Sequence, residues 1–199
     1  MNYLLHLRKD AKLAPYLPSK PLVLSPQSNA GLRLMHSIMS QQLSTKVAAV
    51  LQRRFDALFA QQNPLPEQVA ALPVEQIRSI GLSQAKAGYI HNVAKFWVDN
   101  QLTDEHLHQM ESEEVIQLLT QIKGVGRWTV EMQLMFTLAR PNIFPVDDLG
   151  IQTAMIAIYK PRYQTKKELY TKLHKIAAQW SPYRTYACMH LWRWKDGAV

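Results

Sequence analysis

The sequence predicts an all-α fold, and three observations carry that prediction. Apolar residues recur three and four apart in segment after segment, the period of a helix with one buried face. No stretch alternates apolar and polar residues long enough to read as a strand. Prolines and N-capping side chains fall between the periodic segments, where helices start and stop. With 199 residues, 47% of them hydrophobic, the chain can bury a substantial core as one domain or as two intimate subdomains.

Residues 3–13 are expected to form a short helix ahead of prolines at 15, 18, 21 and 26, which prevent a longer one. Leu22, Val23 and Leu24 then tuck an apolar plug against the body. From Asn29 to Leu43, the side chains of Leu32, Met35, Ile38, Met39 and Leu43 share one helical face. Ser44 or Thr45 caps the next helix, which runs to about Phe59 on Val47, Val50, Leu51, Phe55 and Leu58. Between Asn63 and Ile80, prolines at 64, 66 and 73 indicate two short helices, each with an acid (Glu67, Glu75) in its first turn. Ser83 caps a long helix from Gln84 to Val98 with Ala87, Ile90, Ala94 and Trp97 inward. By letter, Ser83 to Lys86 also fits the S-x-x-K pattern of serine hydrolases; no second motif accompanies it, and capping is the reading retained. A short helix fits Asp104–Met110, and another begins near Ser112.

The stretch from Leu118 to Ile151 organises the rest. Val115, Ile116, Leu119 and Ile122 lead through Lys123 into Gly124-Val125-Gly126, and a second apolar helix follows on Met132, Leu134, Met135, Phe136 and Leu138. Two glycines two apart permit a sharp turn and leave the N–H groups at the start of that helix uncovered, a place where a phosphodiester oxygen fits. An ordinary turn between packed helices is the plainer alternative. Pro141 stops the second helix. Asp147 and Asp148 then open a helix from Leu149 through about Ile158, which Pro161 ends. One aspartate suffices as a cap, and adjacent carboxylates repel, so the second calls for a further role. Thr165 caps a helix from Lys166 to Trp180, and Pro182 starts the final one, which carries Tyr186, Met189, Trp192 and Trp194.

The formal net charge of +8, from 23 Lys and Arg against 15 Asp and Glu, favours an acidic partner. Cys188 is the single cysteine, which excludes an internal disulfide and a four-cysteine iron–sulfur cluster. No apolar run is long enough to span a bilayer, and residues 1–20 are too punctuated by charge and proline for an export signal, so a cytoplasmic location is expected. The seven histidines form no ligand cluster of familiar spacing. Each reads as a satisfied surface or half-buried group, and no catalytic metal is expected.

GVGRWT, followed about twenty residues later by FPVDDLGI, resembles the helix-hairpin-helix DNA glycosylases of the HhH-GPD superfamily. SIMSQQLS at 37–44, GLSQAKAGYI at 81–90 and WSPYRTYACMHLW at 180–192 extend the resemblance, which is to the DNA-3-methyladenine glycosylase II branch. It implies a two-lobed helical fold with a cleft between lobes: residues 29–138 form the central lobe ending in the hairpin, and 1–28 with 145–199 form the other. It implies a monofunctional enzyme that hydrolyses the N-glycosidic bond of alkylated purines flipped out of double-stranded DNA, leaving an abasic site. A non-catalytic helix-hairpin-helix DNA-binding module is the alternative. The family pattern puts the catalytic carboxylate at Asp148, with Asp147 as the alternate and otherwise as cap or brace. Trp128, Trp192 and Met132 match base-pocket positions; Met132 stands where a better-known relative has an aromatic residue. Trp128 also occupies the position of the lysine that lyase-competent relatives use, so no lyase step is expected. Lys123, Gly124, Gly126 and Arg127 match phosphate-gripping positions, and Gln42 with Leu43 match the loop that plugs the duplex. In relatives the hairpin also holds a monovalent cation through carbonyls. This chain has no room for the extra N-terminal sheet domain of the related enzyme, and a monomer is expected, since a lesion has no dyad.

Overall fold

The computed structural model describes residues 2–197, and every regular element among them is helical. In chain order these are α1 (Tyr3–Leu7), a 3-10 turn (Ala14–Tyr16), α2 (Ala30–Ser40), α3 (Thr45–Asp56), α4 (Pro66–Ala70), α5 (Val74–Arg78) and α6 (Gln84–Asp99). They continue with α7 (Asp104–Gln109), α8 (Ser112–Leu119), α9 (Arg127–Phe136), α10 (Leu149–Tyr159), α11 (Lys166–Ala178) and α12 (Arg184–Lys195). The chain divides into two compact units, one Pro26–Leu138 and the other built from Met1–Ser25 and Ala139–Val199. No helix among the described residues is long and apolar enough to cross a membrane.

In the contiguous unit α2 is central, packed against α3, α6 and α9. Leu34, Met35, Ile38 and Met39 are fully enclosed on it, and each such side chain contributes about 1.5–3 kcal/mol of burial. Its free N–H groups are met from two directions. Asn29 accepts from Leu32 N–H at 3.2 Å, and the Asp104 carboxylate on α7 accepts from Asn29 and Ala30 N–H at 2.7 and 2.8 Å. Ser44, Ser83 and Thr165 cap α3, α6 and α11 as their positions predict.

The helix boundaries and faces depart from the periodic reading in several places, beginning with the first helix, expected over residues 3–13 but ending at Leu7, and including α11, which ends at Ala178 rather than Trp180. α2 ends at Ser40, so Leu43 lies beyond it, 39% exposed. α3 stops at Asp56 and buries Ala48, Leu51 and Phe55, a stripe that turns Val47 to solvent. α9 closes at Phe136, well before Pro141: the Gln133 carbonyl takes both Thr137 and Leu138 N–H, and Ala139 then turns left-handed. Phe136 itself is 45% exposed rather than inward. Of the apolar plug at 22–24, Leu22 and Leu24 are half-buried, whereas Val23 points outward.

The second unit is tied together around Asp10, a buried acid in the turn after α1. Its Oδ1 accepts from Lys12 and Leu13 N–H at 3.0 and 3.3 Å. Its Oδ2 accepts from Tyr159 O–H at 2.5 Å and from Gln179 Nε2 and Trp180 Nε1, both at 2.9 Å. One carboxylate thereby joins the N-terminal segment to the ends of α10 and α11. Burial and the adjacent Asp10 push the Tyr159 hydroxyl far above the usual phenol range. On α12, His190 is completely enclosed, against the half-buried or surface position expected of it. Its Nε2 lies 3.1 Å from the Tyr3 hydroxyl and its Nδ1 has no partner, so desolvation drops its pKa to about 4.

Candidate functional site

Phe144-Pro145 is buried, and the chain turns there so that Asp148 N–H donates to the Pro145 carbonyl at 3.0 Å. The two acids then part. Asp148 is the N-cap of α10, its Oδ1 accepting from Ile151 N–H at 2.8 Å. The same oxygen accepts from the Trp192 indole N–H on α12 at 2.9 Å. Asp147 is exposed and accepts from the Tyr170 hydroxyl on α11 at 2.6 Å. The cap is therefore Asp148, and Asp147 is a brace between the loop and α11. Trp192, expected as a stacking platform, uses its polar edge to fix the carboxylate. Gly150 makes that approach feasible, because a Cβ there would lie 3.0–3.1 Å from Trp192 Cδ1, Trp192 Nε1 and Asp148 Oδ1.

The hairpin between α8 and α9 is built on two glycines with different reasons. Gly124 has φ +103, and a Cβ on it would overlap the Tyr89 ring at 2.2–2.7 Å. Gly126, the N-cap of α9, has φ −94 and open space where a Cβ would go. Nothing inside the protein requires glycine at 126. Lys123 is exposed, with its carbonyl accepting from Asn92 Nδ2 at 3.2 Å. Arg127, expected to reach phosphate, has its guanidinium taken up by carboxylates: Glu113 binds it bidentately at 2.9 Å and the buried Glu131 accepts from Nε at 3.2 Å. These bonds raise the arginine pKa and lower that of Glu113. Among the described residues, the backbone N–H of Arg127 at the start of α9 has no acceptor.

Trp128, 38% exposed, lines a pocket of about 450 Å³ with Ser37, Ser40, Gln41 and Gln42. Met132 and Phe136 line the next one, of about 460 Å³, which shares Ser37 and Ser40. Trp128, Met132 and Phe136 thus form a ridge along α9 facing α2, four residues apart and so on one side of the helix. Phe136 was missed as a site residue because its sequence neighbours made it look like core; the spacing from Trp128 was the available signal. Gln42 is exposed and left-handed at φ +59, one residue past Gln41, whose Nε2 donates to Thr129 Oγ1 at 3.2 Å. Lys86 reaches this corner from α6, donating to the Met39 and Gln41 carbonyls at 3.1 and 2.5 Å, and desolvation lowers its pKa. The S-x-x-K lysine is a brace for the Gln42 loop.

Residues 35–179 match the HhH-GPD superfamily of base excision DNA repair proteins. The chain is 35% identical over 163 residues to DNA-3-methyladenine glycosylase 1 of Schizosaccharomyces pombe, covering 80% of this chain and 70% of that one. It is 33% identical over 166 residues to YfjP of Bacillus subtilis, again over 80% of this chain, and spans 57% of that relative's length. Its structure superimposes with a TM-score of 0.83 on the Schizosaccharomyces pombe 3-methyladenine DNA glycosylase in complex with abasic DNA, at 28% identity, covering 98% of this chain and 97% of that one.

Proposed function

We propose, from the premise that this chain belongs to the HhH-GPD superfamily of base excision DNA repair proteins, that it is a monofunctional DNA glycosylase for alkylated purines in double-stranded DNA. The observation that carries this reading is the Asp148 carboxylate, oriented by two N–H donors on one oxygen at the start of α10. In the proposed reaction the C1′–N bond breaks with its electron pair leaving on the purine, which alkylation has already made cationic. Positive charge develops on the deoxyribose, and Asp148 stabilises it electrostatically. A water then adds at C1′ and gives up its proton, with Asp148 as the nearest acceptor in this scheme.

The remaining residues take binding roles. Trp128, Met132 and Phe136 supply an aromatic and polarisable surface for an electron-poor base, and such stacking is worth about 1–3 kcal/mol per platform. The backbone N–H groups after Gly126 receive a phosphate, and the Gln42 loop, held by Lys86, enters the gap left by the extruded nucleotide. With tryptophan at 128 in place of the lyase lysine, the product is an abasic site. The hairpin fits a monovalent cation, since the Ile122 and Lys123 carbonyls each accept one hydrogen bond and keep a second lone pair. When bound there, the cation would offset negative charge of the DNA backbone. The protein is proposed to act as a monomer in the compartment that holds the chromosome.

Base release from methylated duplex DNA tests the proposal. Asp148→Asn is expected to lower the single-turnover rate by about 10²–10³-fold, the scale of one electrostatic stabiliser, while duplex binding persists. Asp147→Asn is expected to leave most of the activity. Absence of release by the parent protein, with duplex binding intact, would replace this reading with that of a DNA-binding module.

A further inference from the structure

The unit built from both chain ends contains a second concavity, of about 640 Å³, at the far end of α10. We propose that it binds a small ligand carrying a chain of phosphates. Five of its eleven lining residues are cationic: Lys9, Lys12, Arg162, Lys172 and Lys175. The chain as a whole has 23 such residues against 15 acids, whereas this lining has one acid, Asp10. That acid is buried and saturated, since both its oxygens are occupied by the five donors described above.

The cations are not neutralised locally. Lys12 donates to the Tyr159 carbonyl at 3.2 Å and Lys172 to the Arg162 carbonyl, neutral acceptors that leave both charges in place. Among the described residues, the side chains of Lys9, Arg162 and Lys175 have no carboxylate partner. An ordinary solvated face would spread such charges over a convex surface. Here the fold gathers them around one shallow, open depression of about 640 Å³, where mutual repulsion is relieved when an anion settles on it. Several positive charges around one hollow select a multiply charged ligand, and flexible ammonium groups suit phosphate as point charges. Ala11, Pro161 and Ile176 add an apolar wall.

This is not the place where the glycosidic bond would be cut. Asp148 precedes α10 and Tyr159 ends it, so the two ends stand about 16 Å apart along the helix axis. The proposal therefore stands whether or not the chain is a glycosylase.

Calorimetric titration of the full chain with inorganic tripolyphosphate, and separately with ATP, provides the test. Lys9→Ala/Lys175→Ala is the variant, chosen because both side chains are exposed and unpartnered, and its melting temperature serves as the folding control. Saturable binding is expected, weakened at least about ten-fold in the variant and restored by Lys9→Arg/Lys175→Arg. Tighter binding of ATP would assign the apolar wall to a nucleoside; equal affinities would assign the site to the phosphate chain alone, and both support the proposal. No saturable binding of either probe, or binding that the variant leaves unchanged, overturns it. A variant that loses only affinity for duplex DNA overturns it too, making the hollow a second contact for the nucleic acid.

Discussion

Asp148 serves two structural donors through one oxygen, and the second of them is admitted by an absent side chain at 150. Gly150→Ala would improve helix propensity by about 1 kcal/mol while overpacking the indole by a similar amount, so stability should change little. The carboxylate, however, must shift by a few tenths of an ångström. Single-turnover base release should fall about 10- to 100-fold at nearly constant melting temperature. A rate equal to that of the parent would remove Trp192 from the orienting role. This pairing could not be read from sequence, because residues 44 positions apart meet only after α10 and α12 have packed. By residue type alone Asp147 and Asp148 are equally good caps, and in the sequence only the family resemblance favoured Asp148 as the catalytic acid. The backbone geometry separates them, giving one the helix terminus and the other the Tyr170 hydroxyl.

At the level of elements, the hairpin glycines offer a contrast within three residues. Gly124→Ala places a methyl group inside the Tyr89 ring at a positive φ, and should destabilise the fold by at least about 2 kcal/mol in chemical denaturation. Gly126→Ala should unfold within about 0.5 kcal/mol of the parent yet bind duplex DNA more weakly, because its Cβ meets only what comes from outside. Equal duplex affinity would detach position 126 from the phosphate contact. Much at this scale was legible. The cap residues Ser44, Ser83 and Thr165 and the paired short helices α4 and α5 follow from local chemistry, which the sequence carries directly. The exposure of Val47 and Phe136 did not, because periodicity says which residues share a face but not which neighbour covers its edge.

For the molecule as a whole, His190 predicts how stability responds to acid. Its pKa falls from 6.5 to about 4 on folding, because burial disfavours the cation and Arg193 adds repulsion. Below pH 6.5 the unfolded chain therefore takes up a proton that the folded chain refuses until about pH 4. Stability should decline across that window, by up to about 3 kcal/mol from this group, with the neutral fold favoured above it. Denaturation curves of the parent and His190→Gln at pH 4.5 and 7 check this: the difference between them should narrow on acidification, and a constant difference would exclude the histidine as the titrating group. Tyr3 holds this histidine across almost the full length of the chain, as Asp10 holds Tyr159 and Trp180. Such closures between the two ends were invisible to pattern reading, which works within a window of one or two helices.

The two units also differ in when they can be completed on the ribosome. Pro26–Leu138 is one uninterrupted stretch, with the hairpin already inside it, and it can collapse while the remainder is still being synthesised. The other unit keeps its opening segment waiting for α10 to α12. Asp148 emerges well before Trp192, so the acid acquires its second orienting donor only once α12 has followed it from the ribosome. A nascent chain thus gains the surface proposed to hold nucleic acid before it gains a fully oriented carboxylate.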